Sequence, residues 1–243
     1  MKNLLVHISP SKEFCNDEHK MAAKIQIDNS LRLGWKVEDI ILVTNFDYEY
    51  GGIKSVVVGD DNYCEHSWPA TKVYVIDYLF KNGFIEDDLY WYHDFDCFEL
   101  NKIIEEDVLK ELGVAEMGLT NYGRMPRLCS ASMFFKKTVG DIFSRLREEI
   151  DKYEDNEEIC IMRLINEDTG DLKTRVKKIN ITYAFHKFNI INSDKEADKP
   201  IRAAHFHLTP DKYDFYVRGN NKLGIILVPE RLRKIFHEHG FKG

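Results

Sequence analysis

Apolar and polar positions switch between two periods along the first hundred residues. Leu4-Leu-Val-His-Ile8 is a short apolar run stopped by Ser9-Pro10, which predicts a buried first strand. Residues 17 to 33 carry Met21, Ile25, Ile27, Leu31 and Leu33 at mostly helical spacing, with Gly34 as the stop. Asp39 to Asn45 is a second strand that ends in polar residues, and Ile53 to Val58 reads as a third. Thr71 to Lys81, with Val73, Ile76, Leu79 and Phe80 on one side, predicts a helix leading into the aromatic strand that begins at Leu89. Strands alternating with helices predict an α/β fold, Rossmann-like, with a mainly parallel central sheet covered by helices on both faces.

Beyond residue 100 the rhythm changes. The pattern predicts helices over Leu100 to Leu112, Asp141 to Tyr153, Asn156 to Ile165 and Arg231 to His239, the last entered through Pro229. Met117 to Tyr122, Ser130 to Lys136 and Ile201 to His207 read as strands, and the polar stretch Asn192 to Lys199 as an exposed loop. No internal repeat or Pro/Gly/Ser-rich linker divides the chain. One domain over residues 1–243 is the simpler organisation, its alternating pattern covering about 1–100 and the changed rhythm about 101–243.

Composition narrows the classes. The 243 residues are 44% hydrophobic and 12% aromatic, enough for a substantial core. A formal net charge of −7 gives no general attraction to nucleic acid or anionic membrane. The five cysteines form no C-x-x-C pair, and no apolar run is long enough for a signal peptide or a membrane span, so a soluble cytoplasmic protein is expected.

The chemistry concentrates in Leu89-Tyr-Trp-Tyr-His-Asp-Phe-Asp-Cys-Phe98. Asp94 and Asp96 stand at i and i+2, a spacing that in extended backbone puts both carboxylates on one face about 7 Å apart. An apolar strand ending in acids delivers them to the carboxyl edge of an open sheet, where ligands bind. A lone D-x-D is more often a polar turn, but here Asp87 and Asp88 already supply the turn, while Asp94 and Asp96 alternate with Phe95 and Phe98. His205 and His207 project to the same side of a late strand and suit manganese when carboxylates complete the shell. Glu157 and Glu158 open a helix that Asn156 caps, and the plain reading of such acids is compensation of the helix dipole. Helical geometry turns the two about 100° apart, so one is expected to face the sheet edge.

These residues, in this order, resemble a GT-A-fold, nucleotide-sugar-dependent glycosyltransferase of the D-x-D type. The resemblance rests on the first strand ending at Ser9, Thr71-Lys72 opening a helix, His93-Asp-Phe-Asp96, Cys129-Ser-Ala-Ser-Met-Phe-Phe135, Asn156-Glu157-Glu158 and His205-Phe-His207. It implies a Mn2+ or Mg2+ ion held by Asp94, Asp96 and His205, and a nucleoside-diphosphate sugar, of the UDP type, lying along Ser9, Asn45, Lys72, Asp94, His207 and Lys212. The small residues Ser130 to Ser132 resemble the acceptor-side strand, and Glu158, with Glu157 as second choice, stands where inverting members keep a base and where a retaining enzyme could orient the acceptor. Families that close with H-x-x-G-x-x-K-P-W have a glycine and a Lys-Pro-Trp missing here. The choice between His205 and His207 for the metal, and between Lys212 and Lys222 for the phosphates, therefore stays open. The acceptor is a glycan, a protein or a modified DNA base; the basic run Lys173 to Lys178 reads as a solvated strand or hairpin, and would meet phosphate if the acceptor were nucleic acid. Two other readings remain: a haloacid-dehalogenase-like phosphatase, which keeps its D-x-D on the first strand, and a nucleotide-sugar-binding module without transfer activity.

Overall fold

The computed structural model describes residues 1–243 apart from 16, 123–127, 168–169, 187–193, 207–221, 224–225 and 241–243. In chain order, strand β1 (Lys2–His7) leads to helix α1 (Asp17–Arg32) and strand β2 (Ile40–Thr44). The two-residue strands β3 (Glu49–Tyr50), β4 (Ile53–Lys54) and β5 (Val56–Val57) follow, then helix α2 (Thr71–Lys81) and strand β6 (Leu89–His93). After β7 (Cys97–Glu99) come helix α3 (Glu105–Leu112), β8 (Met117–Asn121), β9 (Leu128–Lys136), α4 (Gly140–Tyr153), α5 (Glu157–Glu167), α6 (Leu172–Arg175) and β10 (Val176–Lys178). Strands β11 (Phe185–His186) and β12 (Ala203–His205) precede a C-terminal helix, Glu230–Glu238.

A seven-stranded sheet in the order β10-β8-β9-β6-β1-β2-β5 forms the centre. Its strands run parallel except for β9, which is antiparallel to both β6 and β8. The expected α/β fold with a mainly parallel sheet is therefore the observed one. Every residue of β6 is buried, because both faces are covered. Tyr90 and Phe135 stack on one face with Phe143 of α4, whereas Trp91 stacks between Trp35 and Phe134 on the other. A small second sheet, β11-β12-β7, sits beside the first, and its register sets His186 against His205 and His205 against Cys97.

Helix α2 occupies the predicted span, and α1 ends where Gly34, at φ +92°, takes a conformation that side chains resist. Other expectations shift. The strand expected over Ile53 to Val58 is two pieces: β4 pairs with β3 around the Gly51-Gly52 turn, both glycines at positive φ, while β5 joins the edge of the main sheet. The helix expected from Leu100 begins only at Glu105, because the N–H groups of Leu100 and Asn101 donate to the Arg202 carbonyl and that of Ile103 to Glu99. Tertiary hydrogen bonds hold 100–104 outside the helix. Within the polar stretch expected as a loop, 194–196 are helical and Ala197 is buried, and 192–193 lie outside the described residues. The run Lys173 to Lys178, expected as a solvated strand or hairpin, is the short helix α6 followed by edge strand β10. Its Arg175 pairs with Glu116, Asp141 and Asp171, whereas Lys173, Lys177 and Lys178 are exposed.

Candidate functional site

The aspartates do not sit in extended backbone. Strand β6 ends at His93, and Asp94 to Cys97 form a turn closed by the Cys97 N–H donating to the Asp94 carbonyl at 2.9 Å. The turn brings Asp94, Asp96 and His205 together, with a ligand atom from each lying within 4.8 Å of the others. It is anchored from three directions. Gln26 of α1, fully buried, donates to the carbonyls of Phe95 (2.8 Å) and Cys97 (3.2 Å). The Asp94 N–H donates to the Ala131 carbonyl of β9 at 2.9 Å, and the Phe206 N–H to the Asp96 carbonyl at 2.8 Å.

Strand β9 approaches by a local irregularity. Pairing with β8 jumps from Leu119↔Met133 to Thr120↔Cys129, so Ser130, Ala131 and Ser132 intervene on β9 where β8 has no counterpart. Such a bulge re-aims side chains. The Ser130 hydroxyl thereby reaches Glu157 Oε1 at 2.7 Å, and the Ser130 N–H donates to Glu158 Oε1 at 3.1 Å. Both glutamates converge on one serine and both are buried, so the expectation that one alone would face the sheet edge is corrected. Flexible three-torsion side chains span the helical offset between them.

Lys72 joins the two acidic groups. Its ammonium, 5% exposed, lies 2.8 Å from Asp94 Oδ1 and 3.2 Å from Glu157 Oε1, and donates to the Ser130 hydroxyl at 3.1 Å. Burial opposes its charge, but Asp94, with Tyr92 and Glu157 beside it, outweighs burial and raises its pKa well above the usual lysine value. The Tyr92 hydroxyl donates to Asp94 Oδ1 at 2.6 Å. Glu158 accepts from the Tyr122 hydroxyl at 2.7 Å, whereas Glu157 Oε2 is buried with no hydrogen-bond partner among the described residues. A buried acceptor left in that state costs about 1–3 kcal/mol.

His205 Nε2 lies 3.1 Å from Asp96 Oδ1. Burial favours its neutral form, yet the Asp96 carboxylate prevails and raises its pKa to about 10. Two carboxylates and an imidazole match Mn2+ or Mg2+, and the Asp96–His205 charge pair marks where a divalent ion's charge would be compensated. His93, next to the turn, stacks on Trp91 at 4.1 Å, and burial lowers its pKa to about 4, which keeps the imidazole neutral.

At the carboxyl ends of β1 and β2, Ser9 and Asn45 exchange hydrogen bonds: Ser9 N–H to Asn45 Oδ1 at 3.1 Å, and Asn45 Nδ2 to the Ser9 carbonyl at 2.9 Å. Asn45 also donates to Asp60 Oδ1 at 2.6 Å. Sequence reasoning missed Asp60 and Gln26. The Gly59-Asp60 step after β5 was a turn signal near a sheet edge, whereas Gln26 has no signature, being a polar residue within a helical pattern. His207 and Lys212 lie outside the described residues.

No family model matches the sequence, and no curated protein is similar to it at the sequence level. Solved structures do align. The galactosyltransferase LgtC, in complex with donor and acceptor sugar analogues, superposes with a TM-score of 0.63 at 12% identity, covering 98% of this chain and 96% of that one. The glycosyltransferase GlyE of Streptococcus pneumoniae gives 0.58 at 10% identity, covering 100% of this chain and 61% of its own. A glycosyltransferase involved in glycosylation of the major capsid of PBCV-1 gives 0.56 at 11%, covering 86% and 94%. The chain has the GT-A fold of these glycosyltransferases.

Proposed function

We propose that this protein is a metal-dependent glycosyltransferase that moves a sugar from a nucleoside-diphosphate sugar, of the UDP type, to a hydroxyl of a glycan or protein, working as one domain in the cytoplasm. The observation that carries this reading is the continuous chain Asp96, Asp94, Lys72, Glu157 at the carboxyl edge of the sheet, with a hard-metal donor set at one end and a buried carboxylate oxygen that lacks a donor among the described residues at the other. Asp94, Asp96 and His205 would hold Mn2+ or Mg2+, whose contribution is to neutralise the departing diphosphate. Lys72, already beside Asp94, is suited to a phosphate oxygen, and Ser9 and Asn45, braced by Asp60, offer hydrogen bonds to the nucleoside. Five free cysteines, four of them buried, accord with a reducing compartment, and no described helix is long and apolar enough to cross a membrane.

Glu157 Oε2 is the carboxylate oxygen of the pair that lacks a donor among the described residues, and on that ground Glu157 replaces Glu158 as the first choice for orienting or deprotonating the acceptor, reached by a local opening of the site. Glu158, engaged by Tyr122 and Ser130, braces the β9 bulge. The phosphatase reading is not favoured: its D-x-D belongs on the first strand, whereas here it follows β6. The test is a panel of sugar nucleotides with and without manganese, scored by released nucleoside diphosphate. A metal-dependent release with one donor, lost in Asp96→Ala while the thermal melt is retained, is the expected result. Release of phosphate from simple esters would point to the phosphatase, and binding without release to the non-catalytic module.

A further inference from the structure

We propose that Cys129, His186 and His205 form a second cation pocket, selective for a soft divalent ion such as Zn2+, which competes with the carboxylate site for His205. The three come from β9, β11 and β12, and their ligand atoms lie within 4.8 Å of one another. Cys129 and His186 are fully buried and His205 is 5% exposed. His186 Nε2 and His205 Nδ1 are 3.0 Å apart. A tetrahedral zinc ion with Zn–N bonds of about 2.0–2.1 Å places two nitrogen ligands about 3.3 Å apart, so the pair needs to open by only a few tenths of an ångström. A thiol set among imidazoles rather than among apolar side chains is a donor set that prefers zinc, whereas Asp94 and Asp96 prefer manganese or magnesium. Three protein ligands leave a fourth position for solvent, and Tyr122, whose ring meets His186 edge-on at 4.4 Å, walls the pocket.

Competition follows from the shared histidine. Its Nε2 is turned to Asp96 at 3.1 Å and its Nδ1 to His186 at 3.0 Å. An ion bound by either nitrogen displaces the imidazolium proton, and the neutral ring has one unprotonated nitrogen, so His205 serves one ion at a time. Zinc held by Cys129 and His186 withdraws it from Asp94 and Asp96 and weakens any ion bound there. The zinc site stands on its own residues, whereas the competition rests on the proposed carboxylate metal site.

The test uses the full chain stripped of metal and titrated with Co2+ as the probe, without nucleotide. One equivalent should produce a near-ultraviolet thiolate-to-cobalt band with the visible bands of a tetrahedral ion, and Zn2+ should bleach both. Cys129→Ser should abolish the thiolate band, His186→Gln should weaken zinc binding at least about 100-fold, and Asp96→Ala should retain the band. A parent protein with no thiolate band, or a band that survives Cys129→Ser, overturns the proposal. Should these variants fail to fold, X-ray absorption on the zinc-loaded parent decides: one sulfur neighbour at about 2.3 Å is expected, and a shell without sulfur overturns the site. Competition is read separately, as manganese-dependent UDP binding that zinc weakens in the parent and leaves unchanged in Cys129→Ala. Zinc binding without that loss retains the pocket and overturns the sharing of His205.

Discussion

Replacing Lys72 by Met tests the junction on which the site reading depends. The substitution keeps most of the aliphatic stem and removes one charge from between Asp94 Oδ1, 2.8 Å away, and Glu157 Oε1, 3.2 Å away. Breaking a buried pair by deleting one partner costs about 3–5 kcal/mol, because the other partner keeps a desolvated charge. Glu157 is 5% exposed but the Asp94 side chain is 26% exposed, so water screens part of the penalty and the lower end, about 3 kcal/mol, is expected. For a chain of this length, ~3 kcal/mol lowers Tm by about 6–12 °C. Manganese should restore part of that loss, since a divalent ion beside Asp94 supplies the missing positive charge. Affinity for a nucleoside diphosphate should fall much more than affinity for the nucleoside. Thermal melts with and without manganese, and calorimetry with the two ligands, give the answer. A Tm within about 1 °C of the parent, together with equal changes for both ligands, would remove Lys72 from the junction.

Three further outcomes are expected. Glu157→Gln should cut transfer by roughly 100-fold or more with donor binding retained, and Glu158→Gln should cut it less, by nucleotide-release assay; parent rates in both would reduce the acidic pair to a helix cap. Gln26→Ala removes the donor to two carbonyls of the aspartate turn, so it should cost about 1–3 kcal/mol in denaturant unfolding and weaken manganese binding about tenfold, whereas unchanged metal affinity would show that the turn holds itself. Glu99 is buried against Trp35 and the Ile103 N–H, with Arg231 and Lys102 nearby, and burial raises its carboxyl from 4.5 to about 7. The folded state therefore keeps a proton that the unfolded chain sheds, and the resulting stability is complete below about pH 4.5 and lost as pH rises through about 7. The loss is on the order of 3 kcal/mol, and a flatter Tm profile between pH 5 and 8 in Glu99→Gln is the expected readout, an unchanged slope the refuting one.

What the sequence made legible was what local chemistry decides. Val73, Ile76 and Leu79 specify α2 because they recur at helical spacing, although the structure buries most of the helix around them, and Leu89 to Tyr92 specify β6 because an unbroken apolar run suits a strand covered on both sides. The stretch Leu100 to Ile104 misled because its apolar residues go to different places: Leu100 packs with Phe98 and Phe236, and Ile103 with Trp91 and Phe134. Two destinations produce a spacing that imitates one helical face. The hairpin β3–β4 was readable from Gly51-Gly52 and went unread. At the site, the acids and the late histidine were visible as residue types, but their convergence depends on a turn, on a strand register and on Gln26, contacts made at long sequence separation. No periodicity encodes those.

The three unmatched residues of β9 separate two tasks that one strand performs. Met133 to Phe135 stay in register with both neighbours and fill the core, while Ser130 to Ser132 hang outside the β8 ladder and face polar groups. The two parts of the strand thus answer to different neighbours. Ala131 is itself 2% exposed, so a larger side chain there must displace its neighbours at the site. A single-residue deletion between 130 and 132 is a different kind of event, drawing Ser130 away from Lys72 and Glu157 while leaving the aromatic half of the strand in place. Such a chain would keep its architecture and lose its junction, a route by which a transferase could give rise to a folded but inert descendant.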